Sequence, residues 1–137
     1  MARAVFTAIL ALGLTAGCDN GPRPYVSQLE KNLQVLTASS GGTVALQVHG
    51  CKGAYEGFVA LDRPAVEIGL PTDRPSVLVF EFRNPSVSNK KEVQVTPRAG
   101  YRYEARVALK DAIYDIELRE INLSSGANRE IDAHRGC

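Results

Sequence analysis

One stretch decides the fold: residues 101–118 read YRYEARVALKDAIYDIEL. From Tyr101 to Leu109 every second side chain is apolar and those between are mostly charged, which is the period of a β-strand with one buried face. A second alternating run ends at Leu118. A two-residue turn at Lys110-Asp111 joins the two runs, so the pattern predicts an antiparallel hairpin.

The turn also predicts the register of the hairpin, because it pairs Leu109 with Ala112. That register places three apolar pairs on one face of the sheet: Val107 with Tyr114, Ala105 with Ile116, and Tyr103 with Leu118. A slip by one residue would mismatch every pair. Both strands therefore favour the same register.

Six further segments have the pattern of strands, and they are 43–48, 55–61, 65–70, 76–83, 91–96 and 129–134. Residues 76–83 are apolar on both faces at their start, as in a central strand, and residues 91–96 open a C-terminal meander. Residues 26–36 fit a helix or a strand. About seven short strands with regular turns predict an all-β fold, a small antiparallel β-sandwich of immunoglobulin-like or transthyretin-like kind, although the spacing also fits a small barrel.

The charge balance argues against nucleic acid as a partner. The 137-residue chain carries 16 Lys and Arg against 15 Asp and Glu. Such a balance gives no long-range attraction for nucleic acid, and no basic run with interleaved aromatics occurs. The Gly-Ser segment 39–42 lacks the strand-loop-helix context of a phosphate-binding loop.

The N-terminus has the parts of a secretory signal. A basic start at residues 1–3 precedes an apolar run over residues 4–14 and the small residues 15–17. The run from Ala4 to Gly17 has fourteen residues. A helix that spans a bilayer needs about 20 residues. The segment is therefore predicted to be cleaved from the chain rather than to cross the membrane.

The end of this signal resembles the bacterial lipobox, whose usual form is Leu-Ala-Gly-Cys. Ala16, Gly17 and Cys18 match it, and Thr15 stands where Leu is commonest. The resemblance implies cleavage before Cys18 and acyl chains on that cysteine, which anchor the protein to a membrane. It covers only these residues and implies nothing about the domain that follows. An ordinary signal peptide with a coincidental cysteine is the alternative.

Three regions are predicted on this basis: the signal 1–17, the lipidated Cys18 with a tether 18–26, and a β-sandwich domain 27–137. The domain would face the periplasm from the bacterial cell envelope. Asp19 after the lipidated cysteine resembles an inner-membrane retention signal of enterobacteria. Other lineages read different positions, so the inner and outer membranes both remain open.

The cysteines beyond Cys18 are Cys51 and Cys137. In an oxidising compartment such a pair predicts one disulfide. His49 and His134 shortly precede them, so the four side chains would meet if the cysteines do. They could bind zinc or copper(I) if the thiols stayed reduced. Beside a disulfide, the two histidines could instead titrate together at about pH 6.

The remaining polar and aromatic residues suggest no catalytic centre or cofactor site. Asp115 and Glu117 are assigned to a solvent-facing surface rather than to a catalytic pair. A solvent-facing position is also predicted for a mixed charged face made of Arg102, Glu104, Arg106, Arg119 and Glu120. Most aromatic side chains are predicted to pack in the core, with Tyr25 and Tyr55 as the exceptions.

These observations favour a non-enzymatic envelope lipoprotein whose sandwich binds another protein as an accessory or assembly component. The alternative is a periplasmic ligand- or metal-binding module that uses His49, Cys51, His134 and Cys137. No motif specifies the identity of the partner or the oligomeric state.

Overall fold

The computed structural model describes residues 22–132, and nine β-strands make up more than half of them. The strands are β1 (Leu33–Ser39), β2 (Thr43–Gly50), β3 (Tyr55–Val59), β4 (Ala65–Ile68), β5 (Ser76–Arg83), β6 (Ser88–Val95), β7 (Tyr101–Lys110), β8 (Ile113–Asn122) and β9 (Asn128–Ile131). A three-residue 3-10 turn, Cys51–Gly53, is the one helical element within this range. The predicted all-β class is confirmed, with two strands more than expected.

The strands form two sheets that face each other as a sandwich. One sheet has the order β4-β1-β7-β8-β9 and the other β3-β2-β5-β6. Neighbours are antiparallel except β1 and β7, which are parallel. The small β-sandwich is therefore confirmed, and β5 is a central strand as predicted. The meander is shorter than predicted, because the loop 96–100 carries the chain from β6 into the other sheet instead of folding it back.

Every odd-numbered strand begins, and every even-numbered strand ends, at the same end of the sandwich. We call this the lower end; its loops are 51–54, 69–75, 96–100 and 123–127. The residues before β1 also lie there, since the Tyr103 amide near the start of β7 donates to the Asn32 carbonyl. The loops 40–42, 60–64, 84–87 and 111–112 form the upper end.

The core lies between the two sheets and is filled by alternate residues of each strand. The Phe82 and Tyr114 rings stack across it with their centres 4.5 Å apart, and Phe80 packs beside Phe82. Tyr103 also has almost no exposed surface. The expectation that most aromatic side chains are core residues is confirmed for these four. Phe58 of β3 differs, since 37% of its surface is exposed.

The β7–β8 turn corrects the predicted register. The turn residues are Asp111 and Ala112, with φ of 51° and 65°, and Lys110 pairs with Ile113. Two successive left-handed residues give a type I′ turn, whose twist matches that of the flanking strands. The sequence argument placed the turn one residue early because Ala112 has no side-chain preference for positive φ.

The observed register differs from the predicted one by two residues. The pairs are Leu109 with Tyr114, Val107 with Ile116, Ala105 with Leu118, and Tyr103 with Glu120. Side chains alternate with a period of two, so this shift leaves the apolar residues of both strands on one face, as predicted, and changes only their partners. The change gives Tyr103 a carboxylate instead of a leucine.

Residues 22–32 close one side of the sandwich before β1 begins. The Phe58 amide donates to the Arg23 carbonyl and the Tyr25 amide to the Phe58 carbonyl, both over 2.9 Å. The chain then crosses to the other sheet, where the Gln28 amide donates to the Gly69 carbonyl. Of residues 26–36, which fitted a helix or a strand, only the last four belong to strand β1, and residues 26–32 are neither helix nor strand. The predicted tether contacts the domain from Arg23 onward.

No helix within residues 22–132 has the length and apolar character needed to cross a membrane. The signal segment 1–17, Cys18, His134 and Cys137 lie outside the described residues.

Candidate functional site

A carboxylate faces the interior at the lower end of the sandwich. Glu120 continues the inward row of Ile116 and Leu118 along β8, and only 5% of its surface is exposed. An ionised carboxylate at such a position is costly unless hydrogen-bonding and charged partners surround it. The prediction that Glu120 belongs to a solvent-facing surface is therefore wrong.

Three side chains from three elements converge on Glu120. Tyr103, directly opposite on β7, donates its hydroxyl hydrogen over 2.7 Å. Arg98, from the loop before β7, donates from Nη2 at 3.0 Å and from Nε at 3.3 Å. Arg129 of β9 donates from Nη2 at 2.9 Å and from Nε at 3.2 Å. Charge-assisted hydrogen bonds thus occupy both carboxylate oxygens. We call these four residues the Glu120 cluster.

The contacts fix the protonation state of the cluster. Burial alone raises the pKa of the Glu120 carboxyl, but the hydrogen bonds from Arg98, Tyr103 and Arg129 outweigh it and lower the pKa from 4.5 to about 2. Burial, and then the bond to Glu120, raises the pKa of the Tyr103 hydroxyl. Glu120 is ionised at neutral pH and has no proton to donate. The cluster therefore holds β7, β8 and β9 together and is poorly suited to general acid catalysis.

Both arginines of the cluster reach solvent. The Arg98 side chain is 53% exposed and the Arg129 side chain 67%. The Arg98 guanidinium also lies 4.0 Å from the centre of the Tyr101 ring, a cation–π contact that holds its orientation. Each guanidinium carries five N–H donors, so both keep donors beyond those that bind Glu120.

A cleft of about 410 Å³ opens beside the Glu120 cluster. It lies on the flank where β6 and β9 are the outer strands of their sheets. Its lining comprises Gln94, Val95, Thr96, Glu120, Arg129, Glu130, Ile131 and Asp132. Residues of both sheets and charges of both signs therefore border one space.

The structure places the predicted histidine–cysteine set only in part. His49 lies near the end of β2, where its Nε2 is 3.0 Å from the Gln47 side-chain oxygen and its Nδ1 is 3.4 Å from the Gly53 carbonyl. Cys51 begins the 3-10 turn two residues later and is half-buried. Within residues 22–132, no three His, Cys, Asp or Glu side chains form a group that could hold a metal ion. The proposed metal set and the disulfide stay predictions, because their other members lie outside this range.

Tyr55 lies in a small aromatic patch at the lower end. The His49 and Tyr55 rings meet edge to face with centres 5.3 Å apart, and the Arg23 guanidinium lies 5.4 Å from the Tyr55 centre. The Arg23 Nη2 also donates to the Tyr55 carbonyl. These contacts fasten the first described residues to β3, so the patch positions the segment that leads back to Cys18.

The outer face of β7 and β8 carries the predicted mixed charges. Arg106 lies 3.8 Å and Arg119 lies 3.5 Å from the Glu117 carboxylate, and all three side chains are at least partly exposed. Asp115 pairs instead with Lys91 of β6 at 3.3 Å. These exposed ion pairs contribute little to stability. The solvent-facing interpretation therefore holds for Arg106, Asp115, Glu117 and Arg119, and it is wrong for Glu120.

Sequence reasoning missed the Glu120 cluster although one signal was present. Glu120 has the same parity as Tyr114 and Leu118, so alternation alone assigns it to the inner face. A charge at an inward position requires partners, and Arg98 and Arg129 supply them from elements that are distant in the sequence. Comparison with known proteins gives no match to a family model, to a curated protein or to a solved structure.

Proposed function

We propose that this chain is a lipid-anchored, non-enzymatic module of the bacterial cell envelope that binds an extended segment of another protein. The lipobox-like residues before Cys18 support the anchor and a periplasmic location. The protein-binding part rests on one observation: the cleft between β6 and β9, which has an outer strand of each sheet at its border.

The chemistry of the cleft suits an extended peptide. Outer strands offer backbone groups to an added strand, the recognition mode in which main-chain hydrogen bonds supply affinity. Arg98 and Arg129 have exposed guanidiniums at fixed positions, ready for a carboxylate or backbone carbonyl of the partner. Glu130 and Asp132 add acidic residues to the lining of the cleft. A segment with charges of both signs fits this lining better than a simple anion does.

The non-enzymatic part is supported by the state of the polar groups. Both oxygens of the Glu120 carboxylate accept hydrogen bonds and its pKa is about 2, so it stays ionised near neutral pH. The His49 ring nitrogens face Gln47 and Gly53 rather than a nucleophile. No observation in the described range favours the alternative metal-binding function, which the metal content of the purified protein would test directly.

Site-specific crosslinking in native membranes tests the proposal. A photoreactive p-benzoylphenylalanine replaces Thr96 at the cleft, and in the matched control it replaces the exposed Glu67 of β4, on the opposite flank. We expect one protein to crosslink from position 96 and not from position 67, and an Arg129→Glu substitution to abolish the crosslink. Equal crosslinking from both positions, or a Cys18 without lipid in the mass spectrum, would contradict the proposal.

A further inference from the structure

The two ends of the sandwich differ in charge. The lower-end loops together with residues 22–32 carry five basic residues, Arg23, Lys31, Lys52, Arg74 and Arg98, against the acidic Glu30 and Asp73. The upper-end loops carry one basic residue, Arg63, against the acidic Asp62 and Asp111. The lower-end loops are thus net positive and the upper-end loops net negative, although the basic Arg83 and Lys110 flank the upper-end loops and the whole chain is almost neutral.

The lower end also exposes large apolar side chains. Leu29 is 100% exposed where residues 28–30 cross Gly69, and Leu123 is 56% exposed just after β8. Val26, in the same N-terminal segment, is 82% exposed. Lone exposed leucines are ordinary on protein surfaces. Here they stand among basic side chains, which is the combination that an interfacial membrane contact uses.

The chain before Pro22 limits how far this end can lie from the anchor. Three residues, 19–21, separate Cys18 from Pro22, the first described residue. An extended chain spans at most about 3.6 Å per residue, so Pro22 lies within about 14 Å of Cys18. Arg23 is already fastened to Tyr55 at the start of β3, on the lower end.

We propose that the lower end is a membrane-contacting surface that rests on anionic phospholipid, with Leu29 at the boundary between the headgroups and the acyl chains. The inference rests on the proposed lipid anchor at Cys18. Lys31 and Lys52 face the negative headgroups, and the upper end, whose loops carry fewer basic residues, points away from them. The anchor then fixes the direction of the domain, and the cleft between β6 and β9 opens sideways, parallel to the membrane surface.

Tryptophan probes test this orientation, since the chain contains no tryptophan of its own. The full lipoprotein carries Leu29→Trp at the lower end or, as the matched control, Ile113→Trp at the upper end, where Ile113 is 63% exposed. Each is reconstituted in phosphatidylethanolamine–phosphatidylglycerol vesicles with brominated acyl chains. We expect blue-shifted, strongly quenched emission from position 29 and unquenched emission from position 113.

A charge variant provides the second readout. Lys31→Gln with Lys52→Gln should weaken docking by about fivefold per lysine, from ~1 kcal/mol per basic residue at an anionic surface, and reduce the quenching of the position-29 probe. Arg63→Glu at the upper end should leave the quenching of the position-29 probe unchanged. Equal quenching at both positions, or none at position 29 in a protein whose Cys18 carries lipid, would overturn the orientation and leave the proposed function intact. A Cys18 without lipid would overturn both.

Discussion

Tyr103 and Glu120 lie directly opposite each other on β7 and β8, and the buried tyrosine hydroxyl donates to the carboxylate over 2.7 Å at the lower end of the sandwich. This contact exists because the β7–β8 turn is centred on Asp111 and Ala112. A turn one residue earlier would place Leu118 opposite Tyr103. The position of this tight turn therefore decides whether the buried Glu120 carboxylate lies opposite Tyr103 at the other end of the hairpin.

Glu120→Gln should destabilise the domain. The amide fills the same space but removes the negative charge that Arg98 and Arg129 share, so two guanidiniums lose their counter-charge. Because both arginines are partly exposed, we expect a loss of about 2 kcal/mol in the free energy of unfolding rather than the larger value typical of fully buried pairs. Urea unfolding measures it. The matched control, Glu117→Gln on the outer face, should change the value by less than about 0.5 kcal/mol.

The Glu120 carboxylate also makes the free energy of unfolding depend on pH. The folded pKa of Glu120, about 2, lies below the ordinary value of 4.5, so its contribution is complete above about pH 5 and is lost as the pH falls towards 2. Urea unfolding at a series of pH values should show this decline in the wild type. The Glu120→Gln variant should show a flatter profile over the same range. Parallel profiles for the two proteins would contradict the assignment of this pH dependence to Glu120.

Alternation and turn residues made most of the fold predictable. Strand β5 was located to the residue, and β2, β4 and β7 to within two residues, because apolar positions two apart leave little freedom. The pairing of strands that are distant in the sequence was harder to predict. Nothing local indicates that β1 runs parallel to β7, or that the loop 96–100 crosses between sheets.

The candidate site was largely hidden from sequence reasoning for a physical reason. Arg98, Glu120 and Arg129 are far apart in the chain and on three elements, and only the register of β7 and β8 brings them together. Each alone looks like an ordinary surface charge. The parity of Glu120 was the one available signal.

Ala112→Gly should stabilise the protein, because residue 112 adopts φ of 65°. A left-handed backbone conformation is strained in a residue that has a Cβ atom, whereas glycine adopts it without that strain. We expect a gain of about 0.5–1 kcal/mol, measured as a higher Tm. The same substitution at Ala45, an exposed position in β2, should lower stability by a similar amount, since glycine weakens a strand. A lower Tm for Ala112→Gly would contradict the observed turn.

Gly57→Ala should release the N-terminal segment from β3. A Cβ atom at Gly57 would lie 2.5 Å from both the backbone nitrogen and the Cα of Tyr25, so the segment must move away. Hydrogen exchange at the Tyr25 and Phe58 amides, which pair the segment with β3, should accelerate strongly. Gly53→Ala is the control, because it also has positive φ but no atom within 4 Å of the added carbon. Unchanged exchange in Gly57→Ala would rule out the close approach.

The predicted Cys51–Cys137 disulfide is compatible with the distances in the described part of the chain. Gly50, next to Cys51, pairs with Ser76, and Ser76 pairs with Val95. Neighbouring strands lie about 4.8 Å apart, so Val95 is roughly 10 Å from Gly50. Val95 shares the cleft with Asp132, from which the last five residues extend up to about 16 Å.

Reduction of this disulfide should therefore lower the free energy of unfolding, by about 2–4 kcal/mol, since the bond closes a long loop. Intact mass with alkylation, before and after reduction, should show two cysteine thiols appearing only on reduction. A Cys51→Ala, Cys137→Ala double variant should be as unstable as the reduced protein and insensitive to reductant. Two alkylated thiols in the unreduced protein, together with one bound metal ion, would instead make His49, Cys51, His134 and Cys137 the functional site.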